Sequence, residues 1–302
     1  MYKLIKTIVF LVLANFAIGQ QMLRKETFDL NKVKELTVST TGGQIKVDGT
    51  KSGSASVEMW VSRNGMRLGS SENLEALLKE NFDINIDLQE GRLNATAKRK
   101  NGKSGNSPIS VAFYVTVPQN VNTDLRTAGG SITMKSLQGV QNFQTSGGSL
   151  NLASISGNIN GQTAGGSINA TDCNGNVALS TSGGSIHLDK VSGKIKVSTS
   201  GGSIQGKNID GAIQGHTSGG SITMNLHRVS DEIALSTSGG SVRLNVPQGK
   251  YDIDLKGSRV ELPSSGNFSG TSKKTFAQGT INGGGTKISA STSGGSVSLD
   301  FK

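Results

Sequence analysis

The chain has one cysteine, few aromatic residues and a small share of charged ones, 4% and 17% of its 302 residues. Cys173 cannot form a disulfide within the chain, so packing and backbone hydrogen bonds must stabilise the fold even in an oxidising compartment. After the N-terminal segment, no stretch approaches the ~18 consecutive apolar residues of a membrane-spanning helix. We therefore expect no transmembrane segment.

Low charge together with 42 glycines would also suit a disordered, low-complexity chain. The apolar residues are regularly spaced, however, and disordered linkers do not show such a period. The sequence therefore predicts a folded protein. Its formal net charge of +10 favours anionic partners or surfaces.

Residues 1–19 have the organisation of a secretory signal peptide. Lys3 and Lys6 precede an apolar run over 8–17, and the small residues Ala17 and Gly19 mark a cleavage site after position 19. No cysteine follows that would carry a lipid anchor. We expect an exported protein, located in the periplasm, at the cell surface or outside the cell, and not in the cytoplasm.

A five-residue motif, Thr-[Ala/Ser]-Gly-Gly-Ser, recurs along most of the chain. The first six copies start 18 residues apart. The starts are Thr127, Thr145, Thr163, Thr181, Thr199, Thr217, Thr237 and Thr292. A fixed period of this size indicates stacked units, none of which can bury its apolar side alone.

Apolar residues alternate within each unit, as at Ile186 and Leu188 and again at Ile195 and Val197, and glycines interrupt the alternation. One unit is therefore two short strands and two corners. Stacked units align apolar columns, which are Ile132, Leu150, Ile168, Ile186, Ile204, Ile222 and Val242, and Leu137, Ile155, Cys173, Val191 and Ile209. The pattern predicts an all-β fold with a single parallel β-solenoid of about 18 residues per turn.

Four segments are expected: the signal peptide at 1–19, a β-rich part at 20–126, regular repeats at 127–258 and closing strands at 259–302. A diverged copy at 36–49 is expected to open the coil, and Glu90-Gly91 to turn a hairpin. A bulge is expected at Leu226-His227-Arg228, with Val229 resuming the spacing.

A short helix is predicted near residues 71–82, with Ser71 as its N-cap. It either covers apolar surface at the flank or end of the solenoid, or is an inserted loop of marginal helicity.

Three sequence features together resemble a known family. They are LRTAGGSI at 125–132, the tandem TSGGSI copies, and INGGGTKISASTSGGSV at 281–297. The chain resembles the bacterial putative-adhesin family of exported β-strand repeat proteins, a family of unknown function. The resemblance covers nearly all of the chain after residue 19, and it implies a right-handed β-helix-like solenoid in an envelope protein. Many relatives carry Asp after the glycine pair, where this chain has Ser, so an acidic ladder is not expected here.

Catalysis needs titratable groups that converge, and the candidates in this sequence do not. His187, His216 and His227 share no column, and neither do Asp172, Asp189 and Asp210. Cys173 falls in an apolar column, which indicates a buried thiol and not a nucleophile. We expect no enzyme activity, no metal site and no cofactor.

One outward position of the repeat carries short polar side chains. The residues are Thr133, Asn151, Asn169, His187, Gln205, Thr223 and Arg243. Such a row suits a glycan or another envelope or anionic surface polymer, or it is plain solubilising surface. The threonine that opens each motif is in phase with the apolar residues before it, so it should point inward, which argues against ice binding.

The basic run Lys98-Arg99-Lys100, with Lys103, is expected to be a solvated loop, and no nucleic-acid partner is expected. The sequence thus predicts a non-enzymatic exported cell-envelope protein, an adhesin or a structural or binding solenoid. The alternative is a polysaccharide-active β-helix enzyme, a lyase or hydrolase.

Overall fold

A computed structural model of the chain describes residues 20–63, 74–100 and 109–302. The chain divides into two compact units, Met1–Gly148 and Ser149–Lys302. The predicted signal peptide, the predicted N-cap Ser71 and the basic residue Lys103 lie outside the described residues. In the described part, no helix is long and apolar enough to cross a membrane.

The described part of the first unit is mostly β-strand, with one α-helix and a 3-10 turn at Leu30–Lys32. The elements are β1 (Gln21–Phe28), β2 (Glu35–Thr40), β3 (Ile45–Thr50), β4 (Ala55–Arg63), α1 (Leu74–Asn81), β5 (Phe82–Gln89), β6 (Arg92–Arg99), β7 (Ile109–Pro118), β8 (Asn122–Thr127) and β9 (Ile132–Thr145).

Parallel and antiparallel pairs both occur in this unit. β2 pairs in parallel with β6 and with β8, and β3 pairs in parallel with β7 and with β9. β1 with β4, β4 with β7, and β5 with β6 are antiparallel. The copy at 36–49 is therefore flanked by strands on both sides, and the prediction that it opens the array is wrong.

The predicted hairpin between β5 and β6 is confirmed. Gln89 pairs with Arg92, and Glu90 and Gly91 turn the chain with φ angles of 49° and 85°. In the described residues the predicted helix forms at Leu74–Asn81, and it ends one residue before the predicted Phe82, which begins β5. It contacts β5, and Leu78 is buried.

The second unit consists of strands joined by short corners. They are β10 (Leu150–Thr163), β11 (Ile168–Thr171), β12 (Asn174–Thr181), β13 (Ile186–Asp189), β14 (Ser192–Thr199), β15 (Ile204–Thr217), β16 (Ile222–Arg228), β17 (Ile233–Thr237), β18 (Val242–Val246), β19 (Tyr251–Lys256), β20 (Arg259–Glu261), β21 (Phe268–Lys273), β22 (Phe276–Ile281), β23 (Thr286–Thr292) and β24 (Ser296–Phe301).

The predicted single β-solenoid of about 18 residues per turn is wrong. Among the described residues, six strands close a parallel barrel, and 18 strands lie outside it. The pairings around the ring run β10, β11, β13, β15, β14, β12 and back to β10. The prediction fails because β10 and β15 are each 14 residues long and continue through a corner, so each pairs with two strands on the same side.

Inside the barrel, residues that pair on neighbouring strands are one motif repeat apart in the sequence. Ile168 pairs with Ile186, and Ile186 with Ile204, so identical apolar residues stack, and all three are fully buried. The motif threonines are buried in the same way, as the sequence predicts: Thr181 pairs with Thr199, and they are 5% and 2% exposed.

Outside the barrel the pairing changes. The predicted bulge is confirmed, because the register between β15 and β16 shifts around His227. Leu226, and not the predicted Val229, pairs with Ile209. Further on, β17 pairs with β23 and β18 with β24 in parallel, whereas β22 pairs antiparallel with β19 and β21.

Candidate binding surfaces

The second unit carries six of the seven residues of the predicted surface row. We call these six the polar row: Asn151, Asn169, His187, Gln205, Thr223 and Arg243. Each pairs with the next in register on successive parallel strands. Neighbouring residues on each strand, such as Ile186 and Leu188, are buried, so the row side chains point away from the core.

Four members of the polar row are exposed, and Asn151 and Thr223 are half-buried. Asn169 Nδ2 donates a hydrogen bond to Asn151 Oδ1 at 2.9 Å. Parallel strands bring successive members about 4.8 Å apart. The result is a series of hydrogen-bonding groups with a regular step.

The sequence-based row misses one member and includes one from the other unit. Ser298 pairs in register with Arg243 and extends the row onto β24. Its signal is the last motif copy, TSGGSV at 292–297, because Ser298 holds the same position after the motif as Arg243 does. Thr133 belongs to the first unit, where it pairs with Lys46 of β3.

A second polar series lies two residues further along the same strands. Thr171 pairs with Asp189, and Asp189 with Lys207. Asn208 Nδ2 donates to Asp189 Oδ1 at 3.1 Å. The centre of the polar row is thus bordered by the charged residues Asp189 and Lys207, of which Asp189 is hydrogen bonded to Asn208.

The three histidines remain apart on the surface. His187 lies in the polar row, His216 Nδ1 is 2.9 Å from Ser236 Oγ, and His227 Nδ1 is 3.2 Å from Asp210 Oδ1. Among the described residues, no group of three or more His, Cys, Asp or Glu side chains is placed to hold a metal ion.

Cys173 is buried, 1% exposed, as predicted. Its burial raises the pKa of the thiol above the ordinary value of 9.0, and the nearby Asp172 carboxylate adds to the rise. A protonated thiol is a poor nucleophile. Cys173 therefore packs as an apolar side chain in the core.

The basic run does not form the predicted solvated loop at its start, because Lys98 and Arg99 belong to β6. The Arg99 guanidinium lies 5.5 Å from the centre of the Phe82 ring. Lys100 Nζ donates to the Lys79 carbonyl at 2.6 Å and is 3.6 Å from an oxygen of Asp83. The side chains of Arg99 and Lys100 therefore contact other residues of the first unit.

A shallow cavity of about 530 Å³ lies in the first unit. Lys34 and Lys51 line it together with the polar side chains Thr50, Gln119 and Asn120. The cavity was not predicted, since its lining comes from chain segments far apart in the sequence.

No family model and no curated protein matches the sequence. Several solved structures align with most of the chain. A putative adhesin from Bacteroides fragilis NCTC 9343 has a TM-score of 0.44 at 15% identity, with 93% of this chain and 97% of that chain covered. A putative lipid binding protein from Parabacteroides distasonis ATCC 8503 has a TM-score of 0.41 at 14% identity, with 93% and 96% covered.

A putative cell adhesion protein from Clostridium sporogenes ATCC 15579 has a TM-score of 0.23 at 9% identity, covering 95% of this chain and 100% of that chain. Such low identities and TM-scores assign neither an activity nor a ligand to this chain.

Proposed function

We propose that this protein is a non-enzymatic, exported cell-envelope protein that binds a repetitive polymer, such as a glycan, along the polar row. One observation supports this most directly: six hydrogen-bonding side chains occupy one register position on successive parallel strands. A regular ligand can meet each of them in the same way. The proposed binding strength comes from many weak contacts made together.

The chemistry of the polar row favours a neutral polymer over a nucleic acid. Asn and Gln amides and the Thr hydroxyl both donate and accept hydrogen bonds, as sugar hydroxyls do. Phosphate backbones are bound mainly by Lys and Arg. Arg243, at one end of the row, is its one permanently charged member and would suit an occasional anionic substituent.

Of the alternative enzymes, a hydrolase uses two carboxylates that flank the scissile bond. Asp189 instead accepts a hydrogen bond from Asn208, and Asp210 is paired with His227 on the surface. These contacts support a binding role without turnover.

The test compares two double variants in binding to a panel of bacterial and host glycans. Asn169→Ala with Gln205→Ala removes two members of the polar row. Each lost hydrogen bond is worth about 1 kcal/mol, so we expect affinity for the bound glycan to fall at least about tenfold. The matched control, Asn176→Ala with Gln214→Ala, removes the same two residue types from exposed positions elsewhere in the unit and should keep full affinity.

Unchanged binding by the Asn169/Gln205 variant would rule out the polar row as the site. Release of shortened sugars during incubation would show an enzyme. Protease treatment of intact cells, followed by detection of the chain, tests export to the surface.

A further inference from the structure

We propose that Trp60 and Tyr114 form a second binding site, for a saccharide ring, on the outward side of the first unit. Trp60 lies on β4 and Tyr114 on the neighbouring strand β7. Their ring centres are 5.5 Å apart, with the ring planes inclined by 34°. We call this pair the aromatic platform.

Strand alternation places the aromatic platform outside the core. Met59 and Val61 flank Trp60, Phe113 and Val115 flank Tyr114, and all four are buried. Trp60 and Tyr114 themselves are half-buried and point to the opposite side of the sheet. Because the two rings lie outside the core, their exposed surface is available to a ligand.

Hydrogen bonds to the ring edges hold the platform in place. Trp60 Nε1 donates to Glu58 Oε2 at 3.3 Å, and Glu58 Oε1 accepts from Lys25 Nζ at 2.8 Å. The Tyr114 hydroxyl donates to Gln20 Oε1 at 2.9 Å. A platform held before the ligand arrives loses less entropy on binding.

Polar groups continue from the platform along one register position. Lys25 pairs with Glu58, Glu58 with Tyr114, Tyr114 with Lys46, and Lys46 with Thr133. Thr133 is the member of the sequence-predicted row that lies in this unit. The C–H face of a sugar can pack on an aromatic ring while its hydroxyls bond to the polar groups beside it.

The charges around the platform favour a saccharide over other ligands that stack on aromatic rings. Lys25 is paired with Glu58, and Lys46 with Asp48 at 3.2 Å. Single-stranded nucleic acid is bound by aromatic rings in a positively charged groove. Each lysine beside this platform is neutralised by a carboxylate, so these residues do not supply the net positive charge that would hold phosphates.

A titration on the unmodified protein tests the aromatic platform directly. Trp60 is the chain's one tryptophan, so tryptophan fluorescence reports on this position alone. We expect at least one of cellohexaose, maltohexaose, mannohexaose and chitohexaose to change the emission saturably and to protect Trp60 from acrylamide quenching. A lack of response to all four would overturn the proposal, and a response to oligo-deoxythymidine in their place would identify a nucleic-acid site.

Variants extend the test with calorimetry. Tyr114→Ala and Trp60→Ala should each weaken binding at least tenfold, whereas Tyr114→Phe, which keeps the ring, should lose no more than about threefold. If the alanine variants fail to fold, the fluorescence titration of the unmodified protein still decides. Equal affinity of folded Tyr114→Ala and unmodified protein would contradict the platform.

The choice of oligosaccharides as probes rests on the proposed function, whereas the site rests on the aromatic pair. The two can fail separately. The Asn169→Ala, Gln205→Ala variant should keep the full fluorescence response, because neither residue belongs to the first unit. Loss of the response in that variant would contradict an independent site.

Discussion

The threonine and the second glycine of each motif copy have different structural roles. Thr199 Oγ1 donates to the Gly184 carbonyl at 2.8 Å and accepts from the Gly202 amide at 3.3 Å. A buried hydroxyl with both partners present carries no desolvation penalty. Gly202 is needed for space, because a Cβ there would lie 2.1 Å from the Gly184 oxygen.

Two neighbouring substitutions test this close approach. Gly202→Ala cannot be accommodated without moving the backbone, so we expect it to lower the free energy of unfolding by about 1–3 kcal/mol or more. At Gly201 a Cβ would lie 3.3 Å from the Gly183 oxygen, which needs only a small shift. Gly201→Ala should therefore cost less than Gly202→Ala in urea unfolding followed by circular dichroism. Equal losses would show that the spacing does not limit this position.

Among the elements, β16 shows how the fold absorbs extra residues. Ile204 pairs with Ile222, but further along β15, Ile213 pairs with Ile233. Paired positions therefore change from 18 to 20 residues apart. The bulge at His227 only restores the earlier offset, since Asp210 pairs with Arg228, so the loop over 229–232 holds both extra residues.

Two deletions test the tolerance of these elements. Removing Ser230 and Asp231 together shortens an exposed loop, so the protein should still fold and unfold within a few degrees of the unmodified chain in a thermal melt. Removing Lys194 alone shifts β14 by one residue and turns Ile195 and Val197 toward solvent. That variant should be insoluble or unfolded. A cooperative, unchanged melt for it would contradict the pairing of β14 with β12 and β15.

For the molecule as a whole, the net charge of +10 adds an attraction for any polyanion. This attraction is screened by salt, since the Debye length falls from about 10 Å at 0.1 M to about 3 Å at 1 M. Arg243 is the one permanently charged member of the polar row, and hydrogen bonds to a neutral glycan are not screened in this way.

Salt therefore separates the two modes of binding. Between about 0.1 M and about 1 M NaCl, affinity for a sulfated polysaccharide should fall at least about tenfold, while affinity for a neutral glycan should change less than about twofold. Surface plasmon resonance at several salt concentrations measures both. A neutral glycan whose binding falls as steeply as that of the polyanion would indicate that charge, and not the polar row, holds it.

Much of the surface row could be predicted because a strand exposes alternate residues and the motif repeats in register. The outward direction of Asn169, His187 and Gln205 follows from their position after the glycine pair alone. The aromatic platform could not be found in this way. Trp60 and Tyr114 lie outside the regular repeats, and they meet only because β4 and β7 pair antiparallel.

Within the regular 18-residue repeats, local pattern settles which side chains of this protein are buried, whereas after them it selects Val229 in place of Leu226. Spacing alone places Ile186, Cys173 and Thr199 inward, because a strand's period of two leaves each residue one of two sides. Strand partners do not follow from local pattern. The continuation of β10 through its corner, which closes the barrel, and the pairing of β17 with β23 depend on backbone hydrogen bonds between segments distant in the chain, and those bonds form only once the segments are brought together.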